Sequence, residues 1–325
     1  MKVSNILRIG LSLVIGCVFV WLVAKQINYN HLVDVLSTIN YLWLVLACMA
    51  YGVEYVLRIA RWQAMLATQN PTLSWRHCSV PLLVSYAINA TLPFRAGDAV
   101  RCFGFNARLR AGAGVVLATI IVERILDFLV IIIILGIALS VFHFESLPFI
   151  RMSGLSLIFI CILLLVFLLF PRLLSPFLYI ARKALVFLLP KHEAKFSLEF
   201  TNVADTLVGL SKSHTMTGLI GYSLAVWIME GFVFLFVAQA LPTMAHPEAA
   251  FLALPIGTLA TLIPSTPGYI GTFDYFIILS LEAMGNTNAA SVAYAMIVHL
   301  ILWVPPLLLG GIYLLFRVNK KLAIN

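Results

Sequence analysis

Apolar runs long enough to cross a bilayer constrain this chain more than any other feature. A spanning helix needs about 20 mostly apolar residues, and the segments that meet this requirement are 6–24, 41–60, 113–142, 155–170, 217–241 and 289–316. With 62% hydrophobic and 10% charged residues, the chain has more apolar surface than a water-soluble fold can bury. We therefore expect an all-α, polytopic membrane protein with about six transmembrane helices, forming one domain over residues 1–325.

Two further apolar regions are interrupted by proline and glycine. One is broken at residues 93–97 (PFRAG) and the other at 264–268 (PSTPG). Proline ends the preceding helix and glycine allows a turn, and such backbone is tolerated at membrane depth only where protein or water covers it. These patterns predict two re-entrant or broken helical hairpins.

The two breaks resemble each other, since each follows the letters Ala-Thr-Leu. This similarity suggests an internal duplication, with a first repeat over about 41–142 and a second over about 217–316. Paired interruptions in two halves of a membrane protein are the sequence signature of a transporter's binding site. We predict an inverted-repeat arrangement.

The positions of the basic residues predict the orientation. If the chain begins in the cytoplasm, all but four of its 21 lysines and arginines fall on the cytoplasmic side, as the positive-inside rule requires. The exceptions are Lys25 and Arg151 outside, and Arg95 and Arg124 near membrane depth. We expect an inner-membrane protein with both termini in the cytoplasm, and an amphipathic segment at about 171–214 that contacts anionic headgroups.

Charged residues at membrane depth are the first candidates for function. An ionised side chain at a helix centre costs about 2.5–3.5 kcal/mol, so each should be paired or face a cavity. At the first break, a helix start near Gly97 flanked by Arg95 and Arg101 predicts a seat for a phosphate, with Asp98 capping that helix. The alternative is a structural ion pair between Arg95 and Asp98.

A second charged group lies in the segment 113–142. Glu123 and Asp127 are four residues apart and share one helix face, where they could pair with Arg95 or Arg101 or take up protons, while Arg124 points toward another partner. The alternative is an ion-pair clamp that holds the first hairpin.

Polar residues elsewhere at membrane depth complete the candidate set. Arg58 and Arg61 either belong to the site or extend to the interface. His299 is either a proton relay or a hydrogen-bonded structural histidine, and Glu230 is a weaker candidate. The second break offers hydroxyls, glycines and one acid, namely Ser265, Thr266, Gly268, Gly271, Thr272 and Asp274.

The order of these motifs resembles the lysylphosphatidylglycerol synthase transmembrane family, also called flippase-like. The matching residues are Arg58-Ile59-Ala60-Arg61-Trp62, then the segment 93–101, then Glu123-Arg124 with Asp127, then Pro267-Gly268 with Gly271, Thr272 and Asp274. Asp98 and Asp274 stand where many relatives are expected to have Glu. In its best-known members this membrane unit precedes a soluble aminoacyl-transferase domain and is thought to flip the product lipid. Without that domain, the resemblance implies lipid translocation and no lysyl transfer.

We therefore expect a transporter of a lipid or lipid-linked molecule with an anionic or phosphate headgroup. We expect no enzymatic activity, no cofactor, no metal and no nucleic acid, because the chain shows no motif for any of them. Two alternatives remain: a membrane-embedded transferase using a polyprenyl-phosphate substrate, and a non-transporting scaffold for envelope lipid synthesis. Whether the chain forms a homo-oligomer is left open.

The orientation is testable with reporter fusions. A fluorescent protein fused after Asn325 should fluoresce, and alkaline phosphatase fused at the same place should be inactive, because both would remain in the cytoplasm. Fusions after Ala245, in a connection without Lys or Arg, should give the reverse pattern. Phosphatase activity from the Asn325 fusion would contradict the predicted orientation.

Overall fold

The regular structure of the described chain is helical. The computed structural model describes residues 18–19, 21–22, 29–92, 95–142, 148–188, 190, 193–263 and 266–322, and contains no strand within them. The α-helices are α1 (Tyr29–Ser37), α2 (Tyr41–Ala67), α3 (Trp75–Thr91), α4 (Ala96–Gly104), α5 (Asn106–Leu109), α6 (Ala113–Val141), α7 (Pro148–Leu169), α8 (Ser175–Leu188), α9 (Glu193–Leu210), α10 (Ser213–Ala240), α11 (Ala250–Ala260), α12 (Thr272–Ala283) and α13 (Asn288–Leu322). The predicted all-α class is confirmed.

Long apolar helices make this a multi-pass membrane protein. Among the described residues, α2, α10 and the Asn288–Tyr313 part of α13 are long and apolar enough to cross a bilayer. A fourth span is counted if Ser156–Leu169 and Pro171–Phe187, bent by 97°, form one. Helix α6 is similarly long, at 29 residues, but carries the charged group at 123–127 in its interior. The predicted number of six spans stays a prediction, since most of the segment 6–24 lies outside the described residues.

Each predicted break separates two short helices that pack against each other. In the first hairpin, α4 returns along α3, and Gly97 lies so close to Ser85 that a Cβ atom would collide with its carbonyl oxygen. In the second, α12 returns along α11, with Gly257 facing Phe273 and Ile277. The 9 residues of α4 and 12 of α12 rise only about 14 and 18 Å, well short of the roughly 30 Å hydrocarbon core.

The two hairpins meet near their tips. The indole nitrogen of Trp303 in α13 donates to the carbonyl of Ala90 at the end of α3, at 2.8 Å. Gly268 has φ 70°, and a Cβ there would lie 2.7 Å from that indole nitrogen and 3.1 Å from the Ala90 oxygen. The second tip can therefore approach the first only with glycine at position 268.

Each hairpin also packs against the long helix that follows the other hairpin. The main partner of α3 outside its own hairpin is α13, and α11 packs extensively on α6. Between them, α2 and α10 form the most extensive helix pair of the molecule. The hairpins are thus enclosed by long helices.

The segment 171–214 forms two helices with different roles. Helix α8 exposes large apolar side chains, including Phe177, Ile180 and Phe187. Helix α9, which we expected to lie on the surface in the same way, is instead docked on α6: the Glu199 carboxylate accepts a hydrogen bond from the Gly114 amide at 2.6 Å. The close approach of the two helices at Gly114 allows this contact.

The close contact between α3 and α13 predicts that a single methyl group added at this interface destabilises the protein. At Gly310, a Cβ atom would lie 2.5 Å from the Ala87 Cβ and 2.7 Å from the Leu83 carbonyl oxygen. We expect Gly310→Ala to lower the free energy of unfolding by about 1–3 kcal/mol through overpacking, measured by thermal unfolding in detergent. Gly311→Ala is the matched control, since nothing lies within 4 Å of its Cβ position, and it should leave stability unchanged or slightly raised.

Candidate functional site

Buried and half-buried arginines and carboxylates cluster where α2, α3, α4, α6 and α10 converge. The cluster comprises Glu54, Arg58, Arg61, Arg95, Asp98, Arg101, Glu123, Arg124, Asp127 and Glu230, and we refer to these ten residues as the ion network. Charges removed from water need partners of opposite sign. Their pairing therefore determines which of them is available to a ligand.

Arg58 lies between two carboxylates from different helices. Its Nε donates to Glu54 of the same helix at 2.5 Å, and its Nη2 donates to Glu230 of α10 at 2.7 Å. The guanidinium also lies over the rings of Tyr86 and Trp227. Its side chain is only 10% exposed, so the alternative in which Arg58 extends to the membrane interface is wrong.

Arg61 is fully enclosed and acts as a structural link. It donates to Asp127 of α6 at 2.7 Å and to the Ser223 hydroxyl of α10 at 2.8 Å. The Trp227 indole N–H donates to the same Asp127 oxygen. With 1% of its side chain exposed and no place in the walls of the two cavities described below, Arg61 joins three helices and does not face those cavities.

The first hairpin is clamped to α6 by ion pairs, as one of the two alternatives predicted. Arg101 pairs with Glu123 at 3.1 Å, and Arg124 pairs with Asp98 at 3.2 Å. Glu123 therefore meets Arg101 as expected, whereas Asp127 meets Arg61 and not an arginine of the hairpin.

The start of α4 differs from the prediction in one respect. Asp98 makes no capping bond there; instead, Asn89 of α3 accepts a hydrogen bond from the Gly97 amide at 2.8 Å. Asp98 accepts hydrogen bonds from Ser85 and Asn89 as well as from Arg124. Since Asn89 already occupies the Gly97 amide, any anion site here depends on side chains more than on the helix terminus.

Arg95 is the member of the ion network whose guanidinium has no ion-pair partner among the described residues. It precedes α4 in the left-handed conformation, with φ 51°, and is half-buried. No described residue forms a hydrogen bond or an ion pair with it; Asp98, its predicted partner, is held by Arg124. Its side chain instead lines a cavity next to Arg58 and Arg124.

Two adjoining cavities lie beside the ion network. The larger, of about 210 Å³, extends toward the second tip and is lined by Glu54, Gly268, His299 and Trp303 among others. The smaller, of about 140 Å³, is lined by Arg95, Arg124, Asp127 and apolar side chains. Both share the residues Arg58, Tyr86, Glu230, Thr258 and Thr261. We call the two together the chamber.

The second tip contributes one wall of the chamber and a separate polar pair. Asp274 accepts from the Gly271 amide and lies 2.7 Å from Nδ1 of His299, which identifies the partner that the sequence left unassigned. Thr266 donates to the carbonyl of Ile270, and the buried Thr272 hydroxyl has no described partner. Ser265, also predicted for the site, lies outside the described residues.

Aromatic residues of the chamber were not predicted. Tyr51, Tyr55, Tyr86, Tyr269 and Trp303 all line the larger cavity, and the first three form a chain of edge-to-face ring contacts. In the sequence they lie in or beside apolar segments, where an aromatic residue is equally typical of helix packing. Only the proximity of helices distant in sequence identifies them.

Comparisons with known proteins find matches along nearly the whole chain. The family model described as the lysylphosphatidylglycerol synthase TM region matches residues 9–310. A UPF0104 membrane protein of Pyrococcus horikoshii is 23% identical over 97% of this chain and 98% of its own length. Another, of Methanocaldococcus jannaschii, is 21% identical over 99% of each chain.

The enclosed Arg61–Asp127 pair predicts strong coupling between its members. Arg61→Leu should lower the free energy of unfolding by about 3–5 kcal/mol, because it leaves a buried carboxylate without its main partner. The Arg61→Leu/Asp127→Leu double variant should lose less than the two single variants summed, as a double-mutant cycle would measure. His246→Ala, which removes the exposed pair with Glu248, is the control and should cost about 0–1 kcal/mol. Additive losses at Arg61 and Asp127 would contradict the coupling.

Proposed function

The chain belongs to the family defined by the transmembrane region of lysylphosphatidylglycerol synthase, and from that premise we propose that it moves a lipid or lipid-linked molecule across the inner membrane. The anionic part of the headgroup binds in the chamber, and the acyl or prenyl tails stay in the bilayer. The observation that carries this proposal is Arg95, a cation in the chamber wall that forms no ion pair with a described acid.

The electrostatics of the smaller cavity favour an anionic ligand. Arg58, Arg95 and Arg124 line it together, and the acids around them are already engaged in ion pairs. Guanidinium groups bind phosphate oxygens through strong charge-assisted hydrogen bonds. A phosphate that enters beside Arg95 gains such bonds without first displacing a paired carboxylate from that guanidinium.

The helix contacts support an inverted-repeat transporter. The contact of α3 with α13 corresponds to that of α11 with α6 if the halves 41–142 and 217–316 are related. In this interpretation both hairpins are re-entrant, since their second helices are too short to span the hydrocarbon core. A chamber at the interface of two such repeats, bordered by discontinuous helices, is where transporters of this architecture bind their substrates.

The surroundings of the chamber suit a lipid rather than a soluble anion. Phe128, Ile131 and Leu262 line the smaller cavity beside the arginines, and Leu262 is 50% exposed. Apolar groups next to the cationic site provide a path on which tails can remain in hydrocarbon. At the cytoplasmic surface, the apolar and basic side chains of α8 would contact anionic headgroups.

Neutralising Arg95 tests this function. In vesicles of phosphatidylglycerol and phosphatidylcholine, the purified protein should translocate fluorescent phosphatidylglycerol, and Arg95→Gln should slow translocation at least about tenfold through loss of a charge-assisted hydrogen bond. The readout is the fraction of label protected from a membrane-impermeant quencher over time.

Arg110→Gln provides a matched control. Arg110 also has a left-handed backbone conformation, with φ 48°, but it is exposed and lies outside the chamber. The same substitution there should leave the translocation rate unchanged. Equal rates for Arg95→Gln and wild type would refute the proposed role of Arg95. Covalent alteration of a labelled polyprenyl-phosphate donor by the purified protein would favour the transferase alternative instead.

A further inference from the structure

We propose that Glu54 and Glu230 form a proton-binding site, and that a proton taken up there accompanies the anionic headgroup across the membrane. This inference rests on the proposed transport function and adds to it the coupled ion. It depends on the pairing of the ion network and on the chamber that its members line.

The ion network is balanced only when Arg95 is counted. It contains five arginines and five carboxylates, and Arg95 is the arginine that no described carboxylate approaches within ion-pair distance. When an anionic headgroup binds at Arg95, six negative groups face five positive ones. One proton restores neutrality, and a surplus charge is costly at this depth.

The surplus carboxylate is found beside Arg58. This arginine is the ion-pair partner of both Glu54 and Glu230, and neither acid pairs with another described cation. Glu54 Oε2 is buried and has no hydrogen-bond partner among the described residues. Glu230 lines both cavities of the chamber, so water in the chamber can deliver a proton to this pair.

Among the titratable groups near the chamber, Glu54 and Glu230 are the ones best placed to bind a proton. The titratable and charged groups that face this pair are Tyr51, Tyr55, Arg58 and Arg61 of α2, Tyr86 of α3, Arg95 at the start of α4, Arg124 and Asp127 of α6, Tyr269 of the second tip and His299 of α13. Asp127 is already held by Arg61 and by the Trp227 indole, and His299 is hydrogen-bonded to Asp274. Asp127 and His299 therefore each have a partner of their own, whereas Glu54 and Glu230 share Arg58.

In the proposed cycle, one headgroup anion and one proton cross the membrane together. The headgroup anion binds to Arg95 and Arg58 from the smaller cavity and weakens the hold of Arg58 on Glu230, which takes a proton from chamber water. The anion and the proton leave together on the other side, where Arg58 bonds to Glu230 again. No net charge moves for a headgroup with one negative charge.

The test combines transport with a readout that needs no lipid. In the vesicles described above, acidifying the side from which fluorescent phosphatidylglycerol is loaded should raise the wild-type rate, by up to about tenfold per pH unit for one proton. Glu230→Gln should respond less than about twofold across the same series. Glu248→Gln, at an acid that is exposed and outside the chamber, should respond like wild type.

Infrared difference spectra of the same proteins, without labelled lipid, report the protonated carboxyl directly. The carbonyl band of a carboxylic acid should grow as the pH falls in wild type, and this growth should be reduced in both Glu54→Gln and Glu230→Gln. Because two variants are compared, a folding defect in one of them does not by itself decide the result.

The outcomes separate the two proposals. An Arg95-dependent rate that is insensitive to pH, or a pH response that persists in Glu230→Gln, would overturn the proton site and leave transport intact. A carboxyl band that depends on Glu230 in a protein that moves no labelled lipid would retain the site and refute transport of this lipid. If the wild type shows neither lipid transport nor a pH-dependent carboxyl band, both proposals are overturned.

Discussion

A charge inside an apolar bundle must be matched by an opposite charge, and this constraint organises the molecule. Arg61 and Asp127 join α2 to α6 and α10, while Arg58 and Glu230 join α2 to α10 a turn away. The first hairpin is fixed to α6 in the same manner, through Arg101 and its partner on that helix. Since none of these residues can be left unpaired at low cost, the helices can associate in few ways, and the chamber lies where their charged faces meet.

Close backbone packing also holds the helices together, in addition to the ion pairs. Glycines at 97, 257, 268 and 310 let helices or tips approach to distances at which a Cβ atom would collide with a neighbour. Inside a membrane, where apolar residues gain little by leaving lipid, such small-residue contacts are a main source of helix association. They bring the two hairpin tips together beside Trp303, and the space that the short hairpin helices leave between the long ones becomes the chamber.

The chamber combines two features of the ion network. It holds a guanidinium with no described acid partner, at Arg95, and two carboxylates that share one arginine, at Arg58. The first feature supports binding of an anionic headgroup, and the second supports uptake of a compensating proton. Both follow from one imbalance in the pairing of the network.

The sequence alone determined the all-α membrane class, both Pro/Gly breaks and most of the charged residues of the site, because each is a local departure from an apolar background. It also gave the ion-pair clamp as an alternative. It could not determine that Asn89 rather than Asp98 caps α4, that Asp274 pairs with His299, or that tyrosines line the chamber. Those contacts join residues far apart in the chain, and hydrophobic periodicity is the same whether an aromatic side chain faces lipid, protein or a cavity. Only the packing of the helices decided which arginine of the network has no ion-pair partner among the described residues.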